Sequence, residues 1–254
     1  MALPPGRLYF HGEIGPAALH AHRVVQVLAA FPEPVTLRGA DGTGHEFSTA
    51  IIPSGALHAI TGPPARGLLA LIEPSSAVGR ALTADRSGDP STWRAATVSA
   101  TVDDRLPLAE TVDDIIGRLT GTTLPEPADR HPALTAAMEI ITAALPARLR
   151  IGEVARGVHL SESRLAHLFA EQLGLPFRAH VRWERIRLAL SLLASGESLS
   201  QVAHAAGFTD SAHLGNSFRA MFGSPPSDLV RGVVWEGQQV PASRPPPPPQ
   251  TLEA

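Results

Sequence analysis

The sequence predicts an α+β protein, with a small β-barrel or sandwich at its N-terminus and an all-α domain after it. Three observations carry this. Between residues 7 and 73, short apolar runs are cut by Gly, Pro and Asp. From Ser75 onward the apolar residues fall at helical spacing. A short helix, a tight turn and a longer helix then occur twice between residues 151 and 223.

The strand candidates are "RLYFHGEI", "RVVQVLAAF", "PVTLRG", "FSTAIIP" and "GLLALIE". Five or more short strands so close together predict a closed or double-layered sheet. "SSAVGRALTAD" and "PLAETVDDIIGRLTG" follow as helices. The second places Leu108, Val112, Ile115, Ile116 and Leu119 on one face. Residues 1–121 are read as one domain with trailing helices. The segment 122–131 is Pro-rich and polar and reads as a linker. Residues 132–231 read as the helical domain. The end, 232–254, holds "RPPPPP" and is expected to be an extended tail.

Composition limits the function. An apolar fraction of 44% is enough for packed cores. No run approaches the roughly 18 apolar residues of a membrane span. The opening "MALPPGRLYFHGEIG" lacks the basic-then-apolar layout of a signal peptide, so a cytoplasmic protein without a membrane partner is expected. There is no cysteine, which excludes disulfides and thiol chemistry. Residues 1–145 carry 10 Arg against 15 acids, whereas residues 146–231 carry 10 Arg against 7. The helical domain is therefore the half suited to an anionic partner.

The repeated units are "IGEVARGVHLSESRLAHLFAEQLG" (151–174) and "LSQVAHAAGFTDSAHLGNSFRAMFG" (199–223). Ser161 is placed to cap a helix, and "SLSQ" at 198–201 fits a capping box. Small alanines before each turn let the paired helices approach. This is the pattern of a helix-turn-helix used twice. Between the units, "PFRAHVRWERIRLALSLLASG" (176–196) makes a helix of about 27 Å, on the scale of the roughly 34 Å turn of DNA.

In the second unit, Leu214, Phe218, Met221 and Phe222 share a core face. Ser211, Ala212, Gly215 and Asn216 form a short, acid-free face opposite, with Arg219 beside it. Such a face lets a helix backbone approach base edges. Asn216 can then pair with adenine, and Ala212 can touch a thymine methyl. Arg178, Arg182, Arg185 and Arg219 are candidates for phosphate contact.

Residues 132–231 resemble the DNA-binding domain of the AraC/XylS family of bacterial transcription regulators. "GFTD" at 207–210, Phe218, "FG" at 222–223 and Pro226 fall in register with it. His159 departs from the family, which often has Gly there, and Leu214 and Leu229 replace common aromatics. The resemblance implies two recognition helices, about 161–172 and 210–222, in successive major grooves of promoter or operator DNA. In the first unit it implies contacts from Ser161, Ser163, Ala166 and His167, with Arg164 nearby. RNA polymerase and a second copy of the chain are further partners it implies.

The N-terminal half offers a histidine pattern. If "LHAHRVVQV" is one strand, His20, His22 and Gln26 share a face. "PSGALH" (53–58) adds His58 from elsewhere. The set resembles the two motifs of the cupin barrel, with Gln26 standing where that family commonly has an acid. Three imidazoles and an amide suit Zn, Fe, Ni, Cu or Mn. The same residues are also read as lining an organic effector pocket without metal, or as structural. A cupin-like sensor of a small molecule or metal, joined to a DNA-binding domain, is the function expected. The alternatives are a metal-responsive regulator and a cupin metalloenzyme fused to that domain. No base or nucleophile stands out beyond the four metal candidates, so no enzyme is expected.

Overall fold

The computed structural model describes residues 1–3, 6–96, 107–121 and 130–229. Most of the expected linker and all of the Pro-rich tail lie outside the described residues. The N-terminal part holds eight strands: β1 (Arg7–Ile14), β2 (Ala17–His20), β3 (Val25–Ala30), β4 (Val35–Arg38), β5 (Gly44–Phe47), β6 (Thr49–Ile52), β7 (His58–Thr61) and β8 (Ala65–Ile72). They form two four-stranded antiparallel sheets, in the orders β1-β8-β3-β6 and β2-β7-β4-β5.

Alternation places the core. On β3, Gln26, Leu28 and Ala30 point one way and Val25, Val27 and Ala29 the other, yet all six are buried. The reason is a cover on both faces. Inward, Leu28 joins Leu8, Phe10, Leu37, Phe47, Ile52 and Leu71 between the sheets. Outward, Val25 and Val27 join Tyr9, Ile51 and Ile72 beneath two helices. These are α1 (Ala77–Thr83), capped by Ser76, and α2 (Leu108–Thr120), which buries Val112, Ile115 and Ile116. A strand covered on both faces reads as a continuous apolar run, as "VQVLAA" does.

The helical part runs α3 (Pro132–Ala144), α4 (Ile151–Gly157), α5 (Glu162–Leu168), α6 (Phe177–Ala194), α7 (Leu199–Ala205), α8 (Ser211–Phe222) and α9 (Pro226–Leu229). After α5 the chain widens into one turn of π-helix, Phe169–Leu173, and stops at the left-handed Gly174. The expected first recognition helix is therefore α5 plus this wider turn. Leu134, Ile141, Val154, Leu165, Leu168 and Phe169 close the first core. Val202, Leu214 and Phe218 close the second, with Trp183, Ile186 and Leu190 of α6. That second core is continuous with the interior between the two sheets, so the two halves share one apolar body.

Caps mark the helix starts. The Ser161 hydroxyl accepts from the Arg164 amide at 3.2 Å, and Asp210 from the His213 amide at 2.7 Å. Ser198 and Gln201 form the expected capping box. Each such cap is worth about 1 kcal/mol. His159 holds a left-handed φ of 56° in the first turn, where glycine is the easier residue.

Candidate nucleic-acid interface and buried histidine cluster

On α5, Leu165 and Leu168 turn inward, which leaves Ser163, Arg164, Ala166 and His167 exposed. His167 meets Glu171 one turn on, at 3.2 Å. Ser161 is exposed too, with its oxygen engaged in the cap. On α8, Leu214 and Phe218 turn inward, and Ser211, Ala212, Asn216 and Arg219 are exposed. Gly215 is buried: a methyl there would stand 3.4 Å from the Arg219 Nη1, which lies over it. The same Nη1 donates to the Asn216 side-chain oxygen at 3.5 Å, a long and therefore weak contact.

A cleft of about 1000 Å³ opens between the two units, with Ala166 and His213 on its walls. Arg178 and Arg182 project into it from α6, exposed and without an ion pair among the described residues. Arg148, Arg150 and Arg156 enter from around α4. The sequence reading passed over these three, and their only signal was the charge excess of this half. Arg185 lines the same cleft but is half-buried, and its Nη2 donates to the Ala147 carbonyl at 3.1 Å, which ties α6 to the segment before α4.

The expected single strand carrying His20, His22 and Gln26 is corrected. β2 ends at His20, β3 begins at Val25, and the two belong to different sheets. His22 sits in the crossover, pinned by its Nδ1 to the Val24 carbonyl at 2.9 Å. The residues meet all the same. His58 is the cross-strand partner of His20, and their ring centroids lie 4.2 Å apart. One ligand nitrogen from each of His20, His22 and His58 lies within 4.8 Å of the others, and all three residues are buried.

Each Nδ1 lies against a backbone carbonyl: Ala18 for His20, Val24 for His22 and Ala56 for His58, at 2.8, 2.9 and 3.0 Å. A carbonyl only accepts, so each Nδ1 is the protonated nitrogen and each Nε2 keeps its lone pair. The His58 Nε2 is buried without a hydrogen-bond partner among the described residues. The His22 Nε2 stands 2.8 Å from the Gln26 side-chain amide, whose NH2 end donates to it in this tautomer. Burial lowers the pKa of all three, to about 4 for His22 and about 3 for His58, where the neighbouring imidazoles add to the effect. They are neutral bases at physiological pH. Such a set fits a transition metal: imidazoles anchored from behind, lone pairs converging, and an amide side chain beside them.

His20 and Gln26 also border a second cavity, of about 560 Å³. Its walls are largely apolar and come from both halves, among them Phe10, Leu69, Leu190, Phe222 and Leu229.

A family model described as a helix-turn-helix domain matches residues 154–232. The HTH-type transcriptional regulator GlxA of Rhizobium meliloti is 35% identical over 102 residues, covering 40% of this chain and 32% of that protein. The arabinose operon regulatory protein of Salmonella typhimurium is 35% identical over 83 residues, covering 32% of this chain and 30% of its own length. The chain thus spans about a third of the curated relatives it matches. Over nearly the whole chain the fold is similar to ToxT of Vibrio cholerae, with a TM-score of 0.54, 10% identity, and 89% and 97% of the two chains covered. A ToxT structure with a bound unsaturated fatty acid has a TM-score of 0.52 at 11% identity, over 93% of this chain and 100% of that one. No helix among the described residues is long and apolar enough to cross a membrane. Residues 154–232 thus form a helix-turn-helix domain similar to those of these transcription regulators.

Proposed function

We propose that this protein is a sequence-specific DNA-binding transcription regulator whose N-terminal barrel senses a divalent transition metal. The observation that carries the DNA half is the pair of exposed faces on α5 and α8. They are joined by one 18-residue helix and flank an arginine-lined cleft. Ser163, Ala166 and His167 on one face, and Ser211, Ala212 and Asn216 on the other, supply short groups for base edges. Arg178 and Arg182, with Arg148 and Arg150, supply cations for the phosphates between the two grooves.

The sensor reading is supported by the three convergent imidazoles. His20, His22 and His58 would hold the metal, with Gln26 as a weak fourth ligand. When bound, the metal would tie strands of the same sheet to the crossover that holds His22. The adjoining cavity, on the fold that in ToxT accompanies a bound fatty acid, is the place for an organic effector in a second reading of the same sensor.

The test is metal content. The chain, purified without a metal-binding tag or chelator, is assayed for metal by plasma mass spectrometry beside His20→Ala and His58→Ala. Near-stoichiometric metal that both substitutions remove supports the sensor reading. A metal-free wild type that stays so after reconstitution overturns it and turns the same residues into cavity walls.

A further inference from the structure

The second recognition helix is fastened to the strand that carries His20. Gly223 is the left-handed C-cap of α8, with φ 69°, and its carbonyl accepts from the Ala18 amide at 3.0 Å. A methyl on Gly223 would stand 2.6 Å from the Ala18 oxygen, 2.7 Å from the His20 Nδ1 and 2.9 Å from the Ala17 Cβ. Only glycine meets both demands, the positive φ and the close approach.

Ala18 is therefore held on both sides. Its carbonyl oxygen takes the His20 Nδ1 at 2.8 Å, and its amide reaches Gly223. One residue separates a ring of the histidine cluster from the end of α8. The strand between them is weakly tied. β2 is an edge strand that pairs with β7 at Ala17↔Ile60 and His20↔His58, with an irregularity between. Phe222, the last residue of α8, walls the same cavity as His20.

We propose that β2 is a transmission element: the state of the histidine cluster, carried by His20, sets the seating of recognition helix α8 through the Ala18–Gly223 contact. This rests on the metal-sensor reading above. A metal bonded to three nitrogens at about 2 Å fixes their spacing. Of the three rings, His20 is the one that meets α8. Its movement travels along an edge strand with few ladder bonds, where little resists it. The far end of α8 presents Ser211, Ala212 and Asn216, so reseating the helix changes how those groups meet DNA. The metal and DNA then favour or oppose one another through two states of one joint.

The test uses the full chain, zinc ion, and a duplex that the chain selects from a random library. Zinc affinity is measured by competition with a chromophoric chelator, with and without the duplex. The inference expects the duplex to shift zinc affinity by at least about fivefold, and zinc to shift duplex affinity by the same factor, because linkage is reciprocal. Ala18→Pro removes the amide that reaches Gly223 but keeps the carbonyl that holds His20, and an edge strand accepts proline. It should bind both partners with the mutual shift reduced to about twofold or less. Gly223→Ala, which wedges the joint from the other side, should do the same and serves should the proline variant not fold. Zinc and duplex that bind without affecting each other overturn the inference alone, as does a shift that survives both substitutions. A full chain that takes up no zinc overturns the metal reading and the inference together.

Discussion

Glu73 receives Arg130 at 2.6 Å, across the boundary between the two-sheet domain and the helical domain. Glu73 leaves β8 with its carboxylate buried, whereas Arg130, just before α3, is about a quarter exposed. The second carboxylate oxygen has no hydrogen-bond partner among the described residues. Burial pushes the Glu73 pKa up, against the pull of Arg130. The pair holds a charge in place rather than adding much net stability.

Removing the cation should therefore cost more than removing the charge. Arg130→Ala is expected to destabilise the chain by about 2–3 kcal/mol in denaturant unfolding at pH 7, somewhat less than for a fully buried pair. Glu73→Gln should cost less. The raised pKa gives the sign. The Arg130→Ala penalty shrinks as pH falls towards about 4.5, because the folded carboxyl takes up its proton before the unfolded one does. A penalty that does not vary with pH would show that Arg130 acts through packing.

Acid should weaken the fold through its histidines. Burial lowers the pKa of His22 and His180 to about 4 and of His58 to about 3. The unfolded chain binds these protons near 6.5, so it gains protons before the folded chain does. Stability present above about 6.5 is lost as pH falls towards 4. Among the described residues His180 has no hydrogen-bond partner on either ring nitrogen, and its ring centroid lies 5.3 Å from that of Phe169. His180→Phe should flatten the pH dependence without touching the cluster of His20, His22 and His58. An unchanged slope in thermal melts from pH 7.5 to 4.5 would assign the loss to other groups.

Asn216 is exposed on α8, and the one contact to its oxygen is the long bond from Arg219. Asn216→Ala should weaken binding to the selected duplex by about 1–3 kcal/mol and leave non-specific binding nearly unchanged. Equal losses on both DNAs, measured by fluorescence anisotropy, would show that Asn216 does not read bases.

Arg178 and Arg182 should behave in the opposite way. Each substitution by Ala should weaken all duplexes alike and reduce the slope of log affinity against log salt by about 1. Arg185→Ala should leave that slope unchanged, because its guanidinium is engaged by the Ala147 carbonyl. A drop in slope for Arg185→Ala equal to the others would mean that it leaves Ala147 to meet phosphate.

What could be read in the sequence was local. The apolar runs of β3 and β8, the stripe of α2 and the caps at Ser161 and Ser198 all follow from residue type and spacing, and the structure keeps them. So do the inward faces of α5 and α8. What was missed depends on distant neighbours. Nothing in "LHAHRVVQV" says that the chain changes sheets between His20 and Val25, and the histidines converge because of that crossover rather than by alternation along one strand. Arg185 looks like its neighbours Arg178 and Arg182 until the segment before α4 is folded against it. The joint at Gly223 was equally hidden, because its partner, Ala18, lies at the other end of the chain.

Central to the proposed function are two recognition helices held in fixed phase by α6. The measurement that tests it is the affinity of the full chain for its selected duplex after 5 base pairs, about half a helical turn, are inserted between the two contacted segments. The account predicts a loss of at least about tenfold, because one helix then faces the wrong side of the DNA. Affinity that survives the insertion would contradict it and leave a single helix-turn-helix doing the reading.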